Sequence, residues 1–230
     1  ASGKSTLARA LCTVLADWPS RPRVEIVTTD GFLHPTSHLV ERGLMARKGF
    51  PESYDLRRMI RFLSDLKSGT PEVIAPVYSH QLYDIDPEAR LIVRQPDILI
   101  FEGLNVLGLT SDTRLVASDF FDFSIYLDAS PDDLEDWFIK RRLILQQTAF
   151  QDPSSYFHHQ KDLSPDEARI AAREIWRGIN LTNLNDNILP TRARADLVLR
   201  KQADHTIDEV WLRAGPVPLD GAASPPTSQS

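Results

Sequence analysis

The chain has 230 residues, 42% of them apolar and 25% charged, which suits a globular protein of one large domain or two small ones at about 150 residues per domain. Twenty-six Lys and Arg against 32 Asp and Glu give a net charge of −6, which argues against a general nucleic-acid binder while leaving room for a local basic pocket. A lone cysteine, Cys12, excludes an internal disulfide or a Cys-rich zinc site and fits a reducing, cytoplasmic setting.

No apolar run approaches the roughly 20 residues of a membrane helix, the longest considered being the four of Ile98 to Phe101. No basic stretch followed by an apolar one marks a signal peptide. Residue 1 is Ala, and a phosphate-binding signature begins at once, so 230 is read as less than the whole protein.

Taken in chain order, Leu7, Ala10, Leu11, Val14 and Leu15 have helical spacing and predict a helix over 5–17, opening directly from Gly3-Lys4-Ser5. A β-rich run over 24–29 stops at Asp30-Gly31. Leu56, Met59, Ile60, Leu63 and Leu66 predict a helix over 55–67, with Gly69 as its stop. Short strands follow at 73–78 and 91–94. The continuous apolar run 98–101, ending at Glu102-Gly103, reads as a strand buried on both faces of a parallel sheet. Another strand is expected over 123–127. Ser130-Pro131-Asp132-Asp133 caps a helix to about 148, and Ser164-Pro165-Asp166-Glu167 supplies a capping box for one to about 179. Closing strands are expected at 196–201 and 208–213, then a disordered tail over 214–230 of mostly Ala, Gly, Pro, Ser and Thr. The alternation predicts an α/β fold in which a mainly parallel central sheet is layered between helices.

Gly3-Lys4-Ser5-Thr6 is the second half of the phosphate-loop pattern G-x-x-x-x-G-K-[ST]. In such a loop, backbone N–H groups and the helix N-terminus hold phosphate oxygens, Lys4 neutralises the transferring group and the Ser5 hydroxyl ligates Mg2+. A chance tetrapeptide is the plain alternative, weakened by the amphipathic helix that follows. Asp30 and Glu102 close two predicted strands and would meet Lys4 in one crevice, one as general base and the other as metal partner. Read singly, Asp30 is a turn residue and Glu102 a surface carboxylate. Arg141 falls on the apolar stripe of Leu134, Trp137, Phe138 and Leu145, which calls for an anion: a phosphoryl group, or a structural carboxylate. Tyr78, His80 and Tyr83 line a polar pocket or form an ordinary aromatic cluster. His158 and His159 lack a partner at metal-ligand spacing and are read as structural or solvated.

Longer blocks carry more. Thr28-Thr29-Asp30-Gly31-Phe32-Leu33-His34-Pro35, Glu41-Arg42-Gly43-Leu44-Met45, Gly49-Phe50-Pro51-Glu52-Ser53-Tyr54-Asp55, Ala75-Pro76-Val77-Tyr78-Ser79-His80, Glu102-Gly103-Leu104-Asn105-Val106-Leu107 and Asn187-Ile188-Leu189-Pro190-Thr191-Arg192 resemble the bacterial type I pantothenate kinases, P-loop kinases related to uridine kinase and phosphoribulokinase. The resemblance runs from Gly3 to about Arg213. It implies a P-loop kinase three-layer sandwich over 1–213, lacking its first strand and the first phosphate-loop glycine in this chain, and ATP-dependent phosphorylation of pantothenate to 4'-phosphopantothenate, the first committed step of coenzyme A synthesis.

Carried over by position, the resemblance makes Lys4, Asp30 and Arg141 catalytic and places Gly3, Lys4, Ser5, Thr6, Arg9, Lys201 and His205 at the nucleotide. Tyr78, His80, Tyr83 and Asn180 would contact pantothenate, and Ser5 and Glu102 would hold Mg2+. It also implies a homodimer inhibited by coenzyme A in competition with ATP, Arg9 and His80 contributing. Two positions depart from the family pattern: Phe138 stands where Tyr is usual, and Arg142 where Phe is usual. A kinase of uridine or glycerate, and an inactive dimerising fragment, are the competing readings; nucleic acid and membrane are not expected partners.

Overall fold

The computed structural model describes residues 2–108 and 115–213; the predicted tail at 214–230 lies outside them. Helix α1 (Lys4–Ala16) begins behind Gly3, whose φ of 95° suits a residue without a side chain. Strand β1 (Val24–Thr28) runs parallel to β4 (Ile98–Glu102) in a register that sets Thr28 opposite Glu102. Both chains therefore emerge at the same sheet edge. Between them lie helix α2 (Thr36–Glu41), helix α3 (Leu56–Lys67) and the antiparallel hairpin β2 (Val73–Ser79) with β3 (Asp84–Val93). Strand β5 (Ile125–Ala129), helix α4 (Pro131–Gln147) and helix α5 (Pro165–Ile175) follow, then β6 (Leu197–Lys201) and β7 (Ile207–Leu212).

The predicted α/β architecture is the observed one, with two differences of pairing. Among the described residues the parallel ladders form separate groups, β1 with β4 and β5 with β6, and β7 adds to β6 antiparallel. The strand expected at 91–94 is the far end of β3, which starts at Asp84 and pairs with all of β2 except at a register shift between Pro76 and Tyr78. Asp84, Asp86 and Pro87 disguise it as a turn; the Asp86 carboxylate accepts the N–H groups of Glu88 and Ala89.

Local boundaries also follow identifiable contacts. Strand β5 starts at Ile125 rather than at 123 because Ser124 donates its N–H and hydroxyl to Asp196, at 2.8 and 2.6 Å. The caps form as read: Ser130 Oγ accepts from Asp133 N, and Ser164 with Glu167 makes the reciprocal box. Helix α5, however, ends at Ile175 and passes into π-type turns over Trp176–Asn180 and Leu184–Ile188, so the helix expected to reach about 179 changes winding. On α1, Ala8 is the buried residue, whereas Ala10 is exposed and Val14 is 61% exposed; the predicted stripe is only partly covered.

The core sits under the carboxyl ends of β1 and β4. Phe32 packs on Phe62 of α3 and Phe101 of β4, with ring centroids 5.4 and 5.9 Å apart, and Val27, Met59, Leu63, Ala75 and Val93 fill in around them. This packing holds the turn after β1 rigidly against β4. Gly103 completes the approach, because a methyl group there would overlap the Thr29 side chain. Replacing Gly103 with Ala is expected to cost about 2–3 kcal/mol by overpacking, a fall of roughly 4–12 °C in Tm by calorimetry. An unchanged Tm would show that β4 has slack at this point.

Candidate active site

The N-terminal turn of α1 converges with the carboxyl ends of β1 and β4. Ser5, in the first turn of α1, donates its hydroxyl to Glu102 Oε1 at 2.6 Å, joining the start of α1 to the end of β4. Asp30 lies in the 3-10 turn Thr29–Phe32 just beyond β1, its N–H directed at Thr28 Oγ1. Lys4 is within electrostatic reach of Glu102, Asp30 and Arg141. Burial pulls the Lys4 pKa down, the two carboxylates oppose that, and Arg141 adds to it. The Asp30 pKa is raised, chiefly by burial; His80, Lys4 and Lys48 pull it back and Glu102 pushes it further up. A carboxylate between cations and beside a second carboxylate, with a pKa above the ordinary range, suits a base that takes a proton from a hydroxyl.

Arg141 leaves α4 as an exposed side chain and makes no ion pair among the described residues. It was expected on the apolar stripe; the helix instead turns Leu134, Trp137 and Ile139 inward and leaves Arg141 at the mouth of the site, beside Lys4. The alternative of a structural ion pair is not met among the described residues.

Lys201 and His205 are brought to the start of α1. Lys201 Nζ donates to Ser2 O at 2.9 Å and lies 4.5 Å over the Trp137 ring, while the His205 ring packs on the same indole at 4.5 Å. Trp137 Nε1 donates to Ala203 O, fixing the loop between β6 and β7 to α4. The result is a flat aromatic and cationic ledge next to Gly3. Thr6 and Arg9 lie on the exposed side of α1, where the Arg9 guanidinium donates to the Thr6 hydroxyl at 3.5 Å.

On the other side of Asp30 is an aromatic wall. Tyr78 meets His80 edge-on at 5.3 Å and Tyr83 at 6.3 Å; Tyr83 stacks on Tyr156 at 4.9 Å and meets Phe157 edge-on at 4.9 Å. Burial raises the Tyr78 and Tyr83 pKa values, so both phenols stay protonated and able to donate. Asn180 ends the first π-type segment, half-buried, without a side-chain hydrogen bond among the described residues. The structure thus joins Lys4, Asp30, His80, Glu102 and Arg141 electrostatically and Ser5 to Glu102 by a hydrogen bond, adds Tyr78 and Tyr83 as a wall, and among the described residues shows no hydrogen bond or ion pair from Arg9 or Asn180 to them.

Lys48 is the group that sequence reading passes over. Its ammonium donates to Tyr83 O and to Thr36 Oγ1, lies 3.9 Å over the Tyr83 ring, and is close enough to Asp30 to lower that pKa. In sequence it follows Arg47 and looks like a solvated charge. Its position comes from Gly49, φ 96°, whose carbonyl accepts from Asn105 at 2.8 Å and Asn183 at 2.9 Å. Burial lowers the Lys48 pKa to about 8, partly offset by Asp84 and Asp30. Above that pH the cation beside Asp30 is lost, so kcat/KM is expected to fall as pH rises through about 8. In Lys48→Arg, which keeps its charge, that limb should move to higher pH; an alkaline limb unchanged in the variant would acquit Lys48.

Hard oxygen donors suit magnesium, and the Ser5 hydroxyl with the Glu102 carboxylate is such a pair. Among the described residues no cluster of three or more His, Cys, Asp or Glu offers an all-protein cage. The donor set therefore matches an ion held by one carboxylate, a hydroxyl and phosphate oxygens.

Comparison with known proteins agrees with this chemistry. Residues 1–144 match the profile of the phosphoribulokinase / uridine kinase family. The chain is 59% identical over 213 residues to the pantothenate kinase of Rhodococcus erythropolis, covering 93% of this chain and 68% of that one, and 59% identical over 214 residues to that of Clavibacter michiganensis, covering 93% and 67%. Among solved structures, D-glycerate 3-kinase from Cryptococcus neoformans superposes with a TM-score of 0.67 at 14% identity, over 91% of this chain and 86% of that one, a likeness of fold alone. The chain belongs to the phosphoribulokinase / uridine kinase family and, within it, to the pantothenate kinases.

Proposed function

We propose that the chain transfers the γ-phosphoryl group of ATP to the primary hydroxyl of pantothenate, giving 4'-phosphopantothenate, the first committed step of coenzyme A synthesis. The observation that carries this reading is 56–59% identity to pantothenate kinases over 93% of the chain. The arrangement around Asp30 supports it. Backbone N–H groups at the start of α1 and the Lys4 ammonium hold phosphate oxygens. Asp30 orients the acceptor hydroxyl and takes its proton as the oxygen attacks phosphorus in line with the departing ADP oxygen. Arg141, at the mouth beside Lys4, meets the charge that spreads over the transferring group.

Ser5 and Glu102 would hold Mg2+, which supplies charge neutralisation across the phosphates when bound. Gly3, Thr6 and Arg9 take the phosphate side of the nucleotide, and Lys201 and His205, on the Trp137 ledge, its base side. Tyr78, His80, Tyr83 and Asn180 take pantothenate, with Tyr78 and Tyr83 donating phenolic hydrogen bonds. The same reading gives a cytoplasmic homodimer under feedback inhibition by coenzyme A at the ATP site. No helix among the described residues is long and apolar enough to cross a membrane, and the single cysteine, Cys12, suits a reducing compartment.

A substrate panel tests the activity. ADP release coupled to a reporter should require pantothenate and Mg2+ together, with uridine and glycerate giving background. Turnover of uridine or glycerate without turnover of pantothenate would replace this reading.

A further inference from the structure

Arg142 is a cation turned inward without a counter-charge among the described residues. Its neighbour Arg141 is exposed, but Arg142 is half-buried, with its guanidinium 5.0 Å over Phe157 and 5.3 Å over Phe150 and one N–H donated to Gln160 Oε1. The comparably placed Arg192 meets the Asp128 carboxylate at 2.9 Å; Arg142 meets no carboxylate among the described residues. Rings and a neutral amide hold a guanidinium in place without neutralising it, and a desolvated cation favours an anionic partner. Burial accordingly disfavours its charged form, with only the Tyr83 phenol acting the other way.

Its position relative to the reacting end is definite. Tyr78 and Tyr83 lie within electrostatic reach of Asp30 and meet each other edge-on at 6.3 Å; ring contacts then run from Tyr83 to Phe157 at 4.9 Å and from Phe157 to Arg142 at 5.0 Å. The Tyr83 phenol is within electrostatic reach of Asp30 and of Arg142 alike. One aromatic wall therefore carries the base toward one end and an uncompensated cation toward the other. An acceptor with a hydroxyl at one end and a carboxylate at the other matches that polarity.

We propose that Arg142 is a specificity-determining residue that binds the carboxylate of the acceptor while its hydroxyl lies at Asp30. The inference rests on the reading of the chain as a pantothenate kinase. Arg142 accepts no phosphoryl group and moves no proton; it selects an anionic over a neutral acceptor, and Phe150, Phe157 and Gln160 fix its fork for the purpose.

The test compares pantothenate with its neutral alcohol analogue, in which CH2OH replaces the carboxylate. For the unaltered chain, KM for the alcohol should exceed that for pantothenate by about ten- to a hundredfold, the loss of one charge-assisted interaction. In Arg142→Leu, and in Arg142→Gln, which can still bond Gln160, this preference should collapse toward unity; Arg142→Lys should keep part of it. Equal KM values in the unaltered chain overturn the assignment without any variant. So does a preference that survives in Arg142→Leu or Arg142→Gln, which would give the carboxylate to another cation such as Lys48, or a parallel rise of both KM values, which is a merely structural effect. Failure of the unaltered chain to phosphorylate either compound would instead remove the kinase reading on which the inference stands.

Discussion

Replacing Asp30 with Asn is expected to lower kcat by about 10²–10⁴-fold while ATP still binds. The amide keeps the size of the carboxylate and its place in the turn behind Phe32, so the change removes a proton acceptor and little else. Its energetic side effects are informative. Asp30 lies with the Lys4 and Lys48 ammonium groups around it, and its loss leaves those cations less compensated, which should tighten rather than weaken the hold on ATP phosphates. The raised Asp30 pKa also fixes the sign of the acid limb. Below that pKa the carboxyl is protonated and cannot accept, so kcat/KM rises with pH through it; the limb should be absent from the residual activity of Asp30→Asn. Full turnover in the variant, measured beside its nucleotide affinity, would transfer the base role elsewhere.

Arg141→Ala is expected to cost about 10³–10⁵-fold in kcat, the scale of an arginine that stabilises a transferring phosphoryl group. The effect should fall equally on kcat and kcat/KM, because Arg141 is held to no carboxylate among the described residues and is proposed to act where negative charge appears during transfer. Lysine should restore little, since a point charge does not reproduce the two-pronged donor geometry. Unfolding midpoints should hardly change, as the side chain is exposed. A rise in KM with kcat intact would make Arg141 a binding residue only. The proposals for Arg141 and Arg142 assign these adjacent positions on α4 to different ends of the acceptor, and their variants should separate as kcat against substrate preference.

Much of this was legible because the relevant signals are local. The apolar run Ile98 to Phe101 reads as a strand and forms one, half-buried along its whole length rather than buried on both faces, and the register of β1 on β4 then brings the residues after both ends to one edge. Ser130 and Ser164 announce their helices through hydrogen bonds to residues three positions on. Asp30, Glu102, Lys4 and Ser5 are legible as a group for that reason, and the structure brings them together.

What sequence reading passed over depends on contacts between distant segments. Lys48 is aimed by a carbonyl at Gly49 that two asparagines, Asn105 and Asn183, hold from far along the chain. The wall around Tyr83 is completed by Tyr156 and Phe157, which enter from a different segment, and Tyr156 N–H is tied to Gln81 O at 2.9 Å. The π-type turns after Ile175 have no period that composition reveals, since an i to i+5 bond needs no distinctive residue. Helical spacing puts Arg141 on the apolar stripe, whereas in the structure its side chain is exposed and lies within electrostatic reach of Lys4.

The most direct measurement is the position of the new phosphate ester. Incubation of the chain with ATP, Mg2+ and pantothenate, followed by phosphorus-coupled NMR of the product, should show the phosphorus coupled to the two protons of the primary carbinol carbon, with one ADP formed per ester. Phosphorus on the secondary hydroxyl or the carboxylate, or ADP formed with no ester at all, would contradict a site in which Asp30 faces the primary hydroxyl.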